Sequence, residues 1–284
     1  MERVTTASLR EMKGRGERIV MLAAYDYLTA RLADEAGVDV LLVGDSLASV
    51  VLGHQDTLSV TMDEMIHHTK AVAKASKRAL VVGDMPFMSY QAAAEDAIRN
   101  SGRFLKEGHA RAVKVEGGRG VTAKIEAMID SGVPVMGHLG LTPQWIHQLG
   151  GYKVSGKTVK AAQTIVEDAK KLEEAGVFSL VLECVPWQLA KLITERLKIP
   201  TIGIGAGPYC DGQVLVFHDL VGLTGATLPK FVKRYAKLDG AVSRALTKFK
   251  REVKDGKFPT LEQSYEMSKG ELAKLKSRIK RGSA

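Results

Sequence analysis

Short apolar runs of strand length alternate with helical patterns about eight times in roughly 250 residues, and this predicts a single (β/α)8 barrel, a TIM barrel. Two further observations point the same way. The apolar runs lack polar alternation, so they read as strands buried on both faces, as in a parallel sheet. Several of them end in a charged residue, at the strand carboxyl end where barrels place their chemistry. Residues 1–256 therefore read as one catalytic barrel domain, and 257–284 as a short, basic, partly helical extension.

After a polar lead-in, Arg18 to Ala24 reads as a strand and Leu28 to Ala36 as a helix stopped by Gly37. Val40 to Val43 follows as a strand ending in Gly44-Asp45, and Leu80-Val81-Val82-Gly83-Asp84 repeats that ending. Between them, a connection over 47–60 leads to a helix opened by the capping-box pattern Thr61-Met62-Asp63-Glu64 and running to about Lys77. A helix over 91–107 is closed by Gly108. Ala110 to Val115 is a strand ending in Glu116, and a helix spans Val121 to Ile129. Val133 to Met136 is a short strand leading into Gly137-His138, followed by a long glycine-containing loop over 139–157. Thr158 to Ala175 is a helix, Phe178 to Leu182 a strand ending in Glu183, and Pro186 suits a first helical turn. Pro200 to Ile204 and Gln213 to Phe217 are the last two strands, and Lys230 to Val253 the last long helix. In the extension, Leu272, Leu275 and Ile279 mark one apolar helical stripe among lysines and arginines.

Composition narrows the function classes. A chain with 45% hydrophobic and 26% charged residues is an ordinary globular protein. The polar N-terminus lacks the apolar segment of a secretory signal, and no run approaches the roughly 20 residues of a membrane span. Two cysteines, Cys184 and Cys210, do not make a disulfide framework, so a cytoplasmic setting is expected. The net charge of +9 is carried by the C-terminal fifth: from Lys230 onward there are 16 Lys/Arg against 6 Asp/Glu. That segment lacks the interleaved aromatics of single-strand recognition, so neither nucleic acid nor membrane is expected as a partner.

The ionisable groups at successive strand ends are Asp45, Asp84, Glu116, His138 and Glu183, and a barrel gathers them on one face. Crowded carboxylates repel unless a cation or protons intervene. A hard divalent ion such as Mg²⁺ suits oxygen ligands, whereas zinc would find one imidazole and no thiolate pair. Two aspartates with a third carboxylate form a reasonable ligand set, although a Gly-Asp pair also simply caps a turn. Lys114 points to the same side of its strand as Glu116 and forms either a structural ion pair or an anion site. Glu183, ending an apolar strand, is a candidate base. Gly203-x-Gly205-x-Gly207 has neither the dinucleotide fingerprint nor a phosphate-loop spacing.

With these residues assembled, the chain resembles the ketopantoate hydroxymethyltransferase family. The matching segments are LLVGDSL (41–47), HTKAV (68–72), GDMPFMSY (83–90), AVKVEGG (112–118), GHLGLTPQ (137–144), LGGYKV (149–154), LVLECVP (180–186) and IGIGAGPYCDGQVLVFHD (202–219). They run in collinear order through nearly the whole barrel. Departures are Ala48-Ser49 in place of the usual Gly-Met and Ser155 in place of Gln, with a tail beyond residue 265. The resemblance implies a Mg²⁺-dependent enzyme, one ion per subunit, moving a one-carbon unit from 5,10-methylenetetrahydrofolate to 2-oxoisovalerate on the route to pantothenate and coenzyme A. It further implies that Asp45 and Asp84 ligate Mg²⁺ with Glu116 assisting. It assigns Asp45, Ser46, Asp84, Lys114 and His138 to the 2-oxo acid, makes Glu183 the proton acceptor, and suggests a homodecamer. The competing class is a Mg²⁺-dependent enolate-forming barrel lyase or mutase of the phosphoenolpyruvate or isocitrate lyase type. Isocitrate-type lyases use a loop cysteine in a Cys-Gly-His context that neither Cys184 nor Cys210 has.

Overall fold

The computed structural model describes residues 2–224 and 228–282. Eight parallel strands close into a barrel in sequence order: β1 (Ile19–Ala23), β2 (Val40–Val43), β3 (Leu80–Asp84), β4 (Ala112–Glu116), β5 (Val135–Gly140), β6 (Ser179–Glu183), β7 (Thr201–Ile204) and β8 (Gly212–Val216). The expected (β/α)8 barrel is present. β8 closes on β1 over five paired positions, from Ile19 with Gly212 to Ala23 with Val216. Every residue of β2, β3 and β4 is buried, which is why their sequences are continuous apolar runs and not alternating ones.

The covering helices follow local signals. Thr61 and Glu64 form the reciprocal capping box that opens Met62–Ala75, whose Met65, Ile66, Thr69 and Val72 face the barrel. Ala94–Lys106 carries Glu95 and Asp96 in its first turn and Arg103 and Lys106 in its last, matching the helix dipole, and buries Phe104 against β3. Pro186 stands at the cap of Trp187–Arg196, one position before the first turn expected for it. No helix joins β7 to β8; residues 205–211 make that connection alone.

The polar lead-in contains a helix that the sequence reading missed, Thr6–Gly14. Only Leu9 and Met12 are buried on it, so its apolar periodicity is a single i, i+3 pair in a polar run. A Thr5–Ser8 capping box supplies the start signal instead. Two short helices, Leu47–Val50 and Ile146–Leu149, lie within segments read as loops.

The chain divides into two compact units, Met1–Ala236 and Lys237–Ala284. This division falls before the boundary at 256/257 suggested by composition, because the helix Leu238–Lys254 buries none of its residues. That helix also starts later than the expected Lys230. The second unit holds Leu238–Lys254 and Lys269–Gly282, and among its described residues none is buried.

Candidate active site

Strand register determines what meets at the carboxyl end of the barrel. Asp84 on β3 pairs with Lys114 on β4, and Glu116 with His138 on β5. Gly140 pairs with Glu183 on β6. Asp45 lies two residues past β2, and its backbone N–H donates to Asp84 Oδ2 at 3.1 Å. One oxygen from each of Asp45, Asp84 and Glu116 lies within 4.8 Å of the others, and all three residues are buried. Lys114 Nζ is 2.8 Å from Asp84 Oδ1 and 3.5 Å from Glu116 Oε1.

Three carboxylates against one ammonium leave an excess of negative charge out of water. Burial, and then repulsion from Asp84 and Glu116, push the Asp45 carboxyl well above its ordinary range. Burial also raises Asp84 although Lys114 opposes it. Glu116 goes the other way: burial works against its charge, but Lys114 and His138 hold it below the usual carboxylate range. Lys114 itself is raised despite burial, by Asp84, Glu116 and Asp45. Three converging hard oxygen donors and a net negative charge held out of water fit a divalent cation such as Mg²⁺.

His138 joins this cluster to Glu183. Its Nδ1 is 3.3 Å from Glu116 Oε1 and 3.2 Å from Lys114 Nζ, and its Nε2 is 3.2 Å from Glu183 Oε2, out of line for a hydrogen bond. Burial and Lys114 disfavour the imidazolium, but Glu116 and Glu183 prevail and raise it to about 9. Gly140 makes the approach of Glu183 possible. It has φ +102, and a Cβ there would come 2.1 Å from the Glu183 carbonyl oxygen. Directly after Glu183, Cys184 takes the left-handed conformation at φ 48. Burial, with Glu183 beside it, pushes the Cys184 thiol up to about 11, so it is no thiolate nucleophile.

All seven expected residues line one cavity of about 170 Å³: Asp45, Ser46, Asp84, Lys114, Glu116, His138 and Glu183. Three residues that hold it were not read from the sequence. Gln144 donates from Nε2 to Asp45 Oδ2 at 3.0 Å and to the Met85 carbonyl at 2.9 Å, while its backbone N–H donates to Glu116 Oε2 at 3.0 Å. Tyr90 OH accepts from the Glu116 N–H at 2.9 Å and lies 2.9 Å from Gln144 Oε1. Tyr25 OH is 2.7 Å from Ser46 Oγ. None of the three sits at a strand end directly after a glycine, the signal that exposed the aspartates; Tyr90 and Gln144 lie within matched segments (GDMPFMSY, GHLGLTPQ), whereas Tyr25 lies in none.

Fold and site together define a (β/α)8-barrel enzyme with a carboxylate–lysine–histidine cluster sunk in the catalytic end. A family model described as ketopantoate hydroxymethyltransferase matches residues 3–261. The chain is 59% identical over 263 residues to the 3-methyl-2-oxobutanoate hydroxymethyltransferase of Moorella thermoacetica, covering 93% of this chain and 98% of that one. It is 56% identical over 268 residues to the protein of the same name from Carboxydothermus hydrogenoformans, covering 94% and 97%. Among solved structures, a phosphonopyruvate hydrolase superposes with a TM-score of 0.62 over 99% of this chain and 97% of that chain, at 14% identity, a likeness of fold alone. The chain belongs to the ketopantoate hydroxymethyltransferase family and is a transferase. Among the described residues, no helix is long and apolar enough to cross a membrane.

Proposed function

We propose that this enzyme transfers a hydroxymethyl group from 5,10-methylenetetrahydrofolate to 3-methyl-2-oxobutanoate, giving 2-dehydropantoate in pantothenate and coenzyme A biosynthesis. The observation that carries the reading is the pairing, in one small cavity, of an oxygen-donor cluster with a separate carboxylate, Glu183, across His138. Asp45 and Asp84 would hold Mg²⁺, with Glu116 assisting. When bound there, the cation would supply Lewis-acid stabilisation of the negative charge that develops on the 2-oxo acid.

The protein's own groups do the rest. Lys114 presents a fixed ammonium to the same oxygens, already paid for by Asp84 and Glu116 and so needing no reorganisation. Ser46, oriented by Tyr25, offers a hydroxyl to the carboxylate end. Glu183 accepts the proton from C3, and His138 places positive charge beside it and helps position the acid. The C3 carbanion equivalent then attacks the methylene carbon as one of its two C–N bonds breaks, that nitrogen taking up the proton held by Glu183; water next displaces the second nitrogen, which takes a proton from the water, giving the hydroxymethyl group and free tetrahydrofolate. No covalent enzyme nucleophile is required, in keeping with the raised Cys184 thiol.

A homodecamer in the cytoplasm completes this reading. It is supported by the family membership and by the apolar stripe Val242, Leu246, Phe249 and Val253, which is about half exposed along one face of its helix. The proton abstraction is tested without folate. Wild-type enzyme with Mg²⁺ is expected to wash deuterium out of C3 of 3-methyl-2-oxobutanoate, followed by proton NMR. Glu183→Gln is expected to lose about 10²-fold or more of that rate. Full exchange in the variant would remove Glu183 as the base.

A further inference from the structure

Gln144 lies outside the lining of the cavity and yet binds two of the three cluster carboxylates. It is buried in the single helical turn Pro143–Trp145 that follows β5. Its backbone N–H, in a first turn that has no helical acceptor for it, donates to Glu116 Oε2 at 3.0 Å. Its Nε2 donates to Asp45 Oδ2 at 3.0 Å and to the Met85 carbonyl at 2.9 Å. The amide has one workable orientation. Its Oε1 lies 2.9 Å from Tyr90 OH and accepts from Gln91 Nε2 at 3.0 Å. A flip would set that oxygen against the Asp45 carboxylate and the Met85 carbonyl, which are both acceptors.

These bonds use up carboxylate oxygens. With Oδ2 on Gln144, Asp45 keeps Oδ1 for a cation. Asp84 has the Lys114 ammonium 2.8 Å from Oδ1, so it too is left with one oxygen, Oδ2, to which the Asp45 N–H donates at 3.1 Å. Glu116 has Gln144 on Oε2, and it has Lys114 Nζ and His138 Nδ1 at 3.5 and 3.3 Å from Oε1. Each carboxylate can therefore give a cation one oxygen and no more. Mg²⁺ accepts that: it takes a tight octahedron at about 2.0–2.1 Å, with one or two carboxylates and several waters. Ca²⁺ takes about six to eight oxygens, and bidentate carboxylates are how it commonly reaches that number.

We propose that Gln144 is a positioning residue that makes the cluster select Mg²⁺ over Ca²⁺, by holding Asp45 to a single ligating oxygen. This rests on the cation site proposed above. The Asp45 arm decides the matter, because the restraints on Asp84 and Glu116 come from Lys114, His138 and backbone N–H groups that a change of side chain at 144 leaves in place. Without Nε2 the Asp45 carboxylate is free to turn both oxygens to the ion, and the larger ion gains. If Gln144 only braced the loop, its loss would weaken both ions together.

The test is direct ion binding to the full chain after EDTA treatment and dialysis. Mn²⁺ is bound first, and its release by MgCl2 or by CaCl2 is followed by electron paramagnetic resonance. The quantity read is the ratio of Kd for Ca²⁺ to Kd for Mg²⁺, in which any loss common to both ions cancels. The wild type is expected to bind Mg²⁺ the more tightly. Gln144→Met removes Nε2 while keeping the backbone donor and most of the volume, and is expected to lower the ratio at least about tenfold. Tyr90→Phe removes one of the two groups that fix the amide and is expected to lower the ratio by less, which keeps the test open if Gln144→Met does not fold. An unchanged ratio in a folded Gln144→Met, or in Tyr90→Phe where that variant alone folds, would overturn the role of Gln144 and leave the cation site standing. So would a wild type that binds Ca²⁺ as tightly as Mg²⁺. A wild type that binds no Mn²⁺ would overturn the cation site and this inference with it.

Discussion

At His138, burial and the neighbouring Lys114 both oppose a charged ring, yet Glu116 and Glu183 raise it to about 9. In the unfolded chain a histidine titrates near 6.5. The folded protein thus holds a proton that the unfolded chain has released, between about pH 6.5 and pH 9. Stability from this group is complete below the lower value and is lost as pH rises through the upper one. In EDTA, the free energy of urea unfolding is expected to fall with pH across that window in the wild type and to fall less in His138→Gln. Equal slopes would place the imidazole outside the coupled cluster. The aspartates and glutamates of the same cluster were legible as strand-end carboxylates. Gln144 was not, since its two hydrogen bonds to Asp45 and Glu116 depend on a loop folding back across the barrel mouth.

Elements carry the next level of constraint. β3 runs Leu80–Asp84, and Gly83 sits one residue before a cluster carboxylate. A Cβ at Gly83 would come 2.3 Å from Phe104 Cδ1, where the helix Ala94–Lys106 packs against the strand. Phe104 is fully buried, so it has no solvent to swing into. Gly83→Ala is expected to cost about 1–3 kcal/mol by overpacking, seen as a lower denaturation midpoint. An unchanged midpoint would mean that the helix shifts freely on β3. Strand runs, helix stops at glycine and the Thr61 capping box were all legible, because each is written within a few neighbouring residues. The Thr6–Gly14 helix was not, because two buried side chains make too short a periodic pattern.

For the whole molecule, the buried apolar residues run from Val4 to Val214, and the seven expected site residues in the cavity from Asp45 to Glu183, all within the first compact unit. Deleting residues 237–284 is therefore expected to leave a cooperative thermal transition by circular dichroism, and to give a smaller species in sedimentation velocity. Loss of the transition would show that the barrel depends on the second unit. Sequence alone determined the barrel class, the order of its strands, the strand-end carboxylates and the family, since periodicity, glycine stops and collinear motifs are properties of the chain. Tertiary structure decided which groups share a cavity and in what state of charge. Only barrel closure and register bring Asp45, Asp84, Glu116 and Lys114 out of water together, and only that burial turns ordinary carboxylates at the end of Val40–Val43 and its neighbours into a cluster whose oxygens could hold a cation.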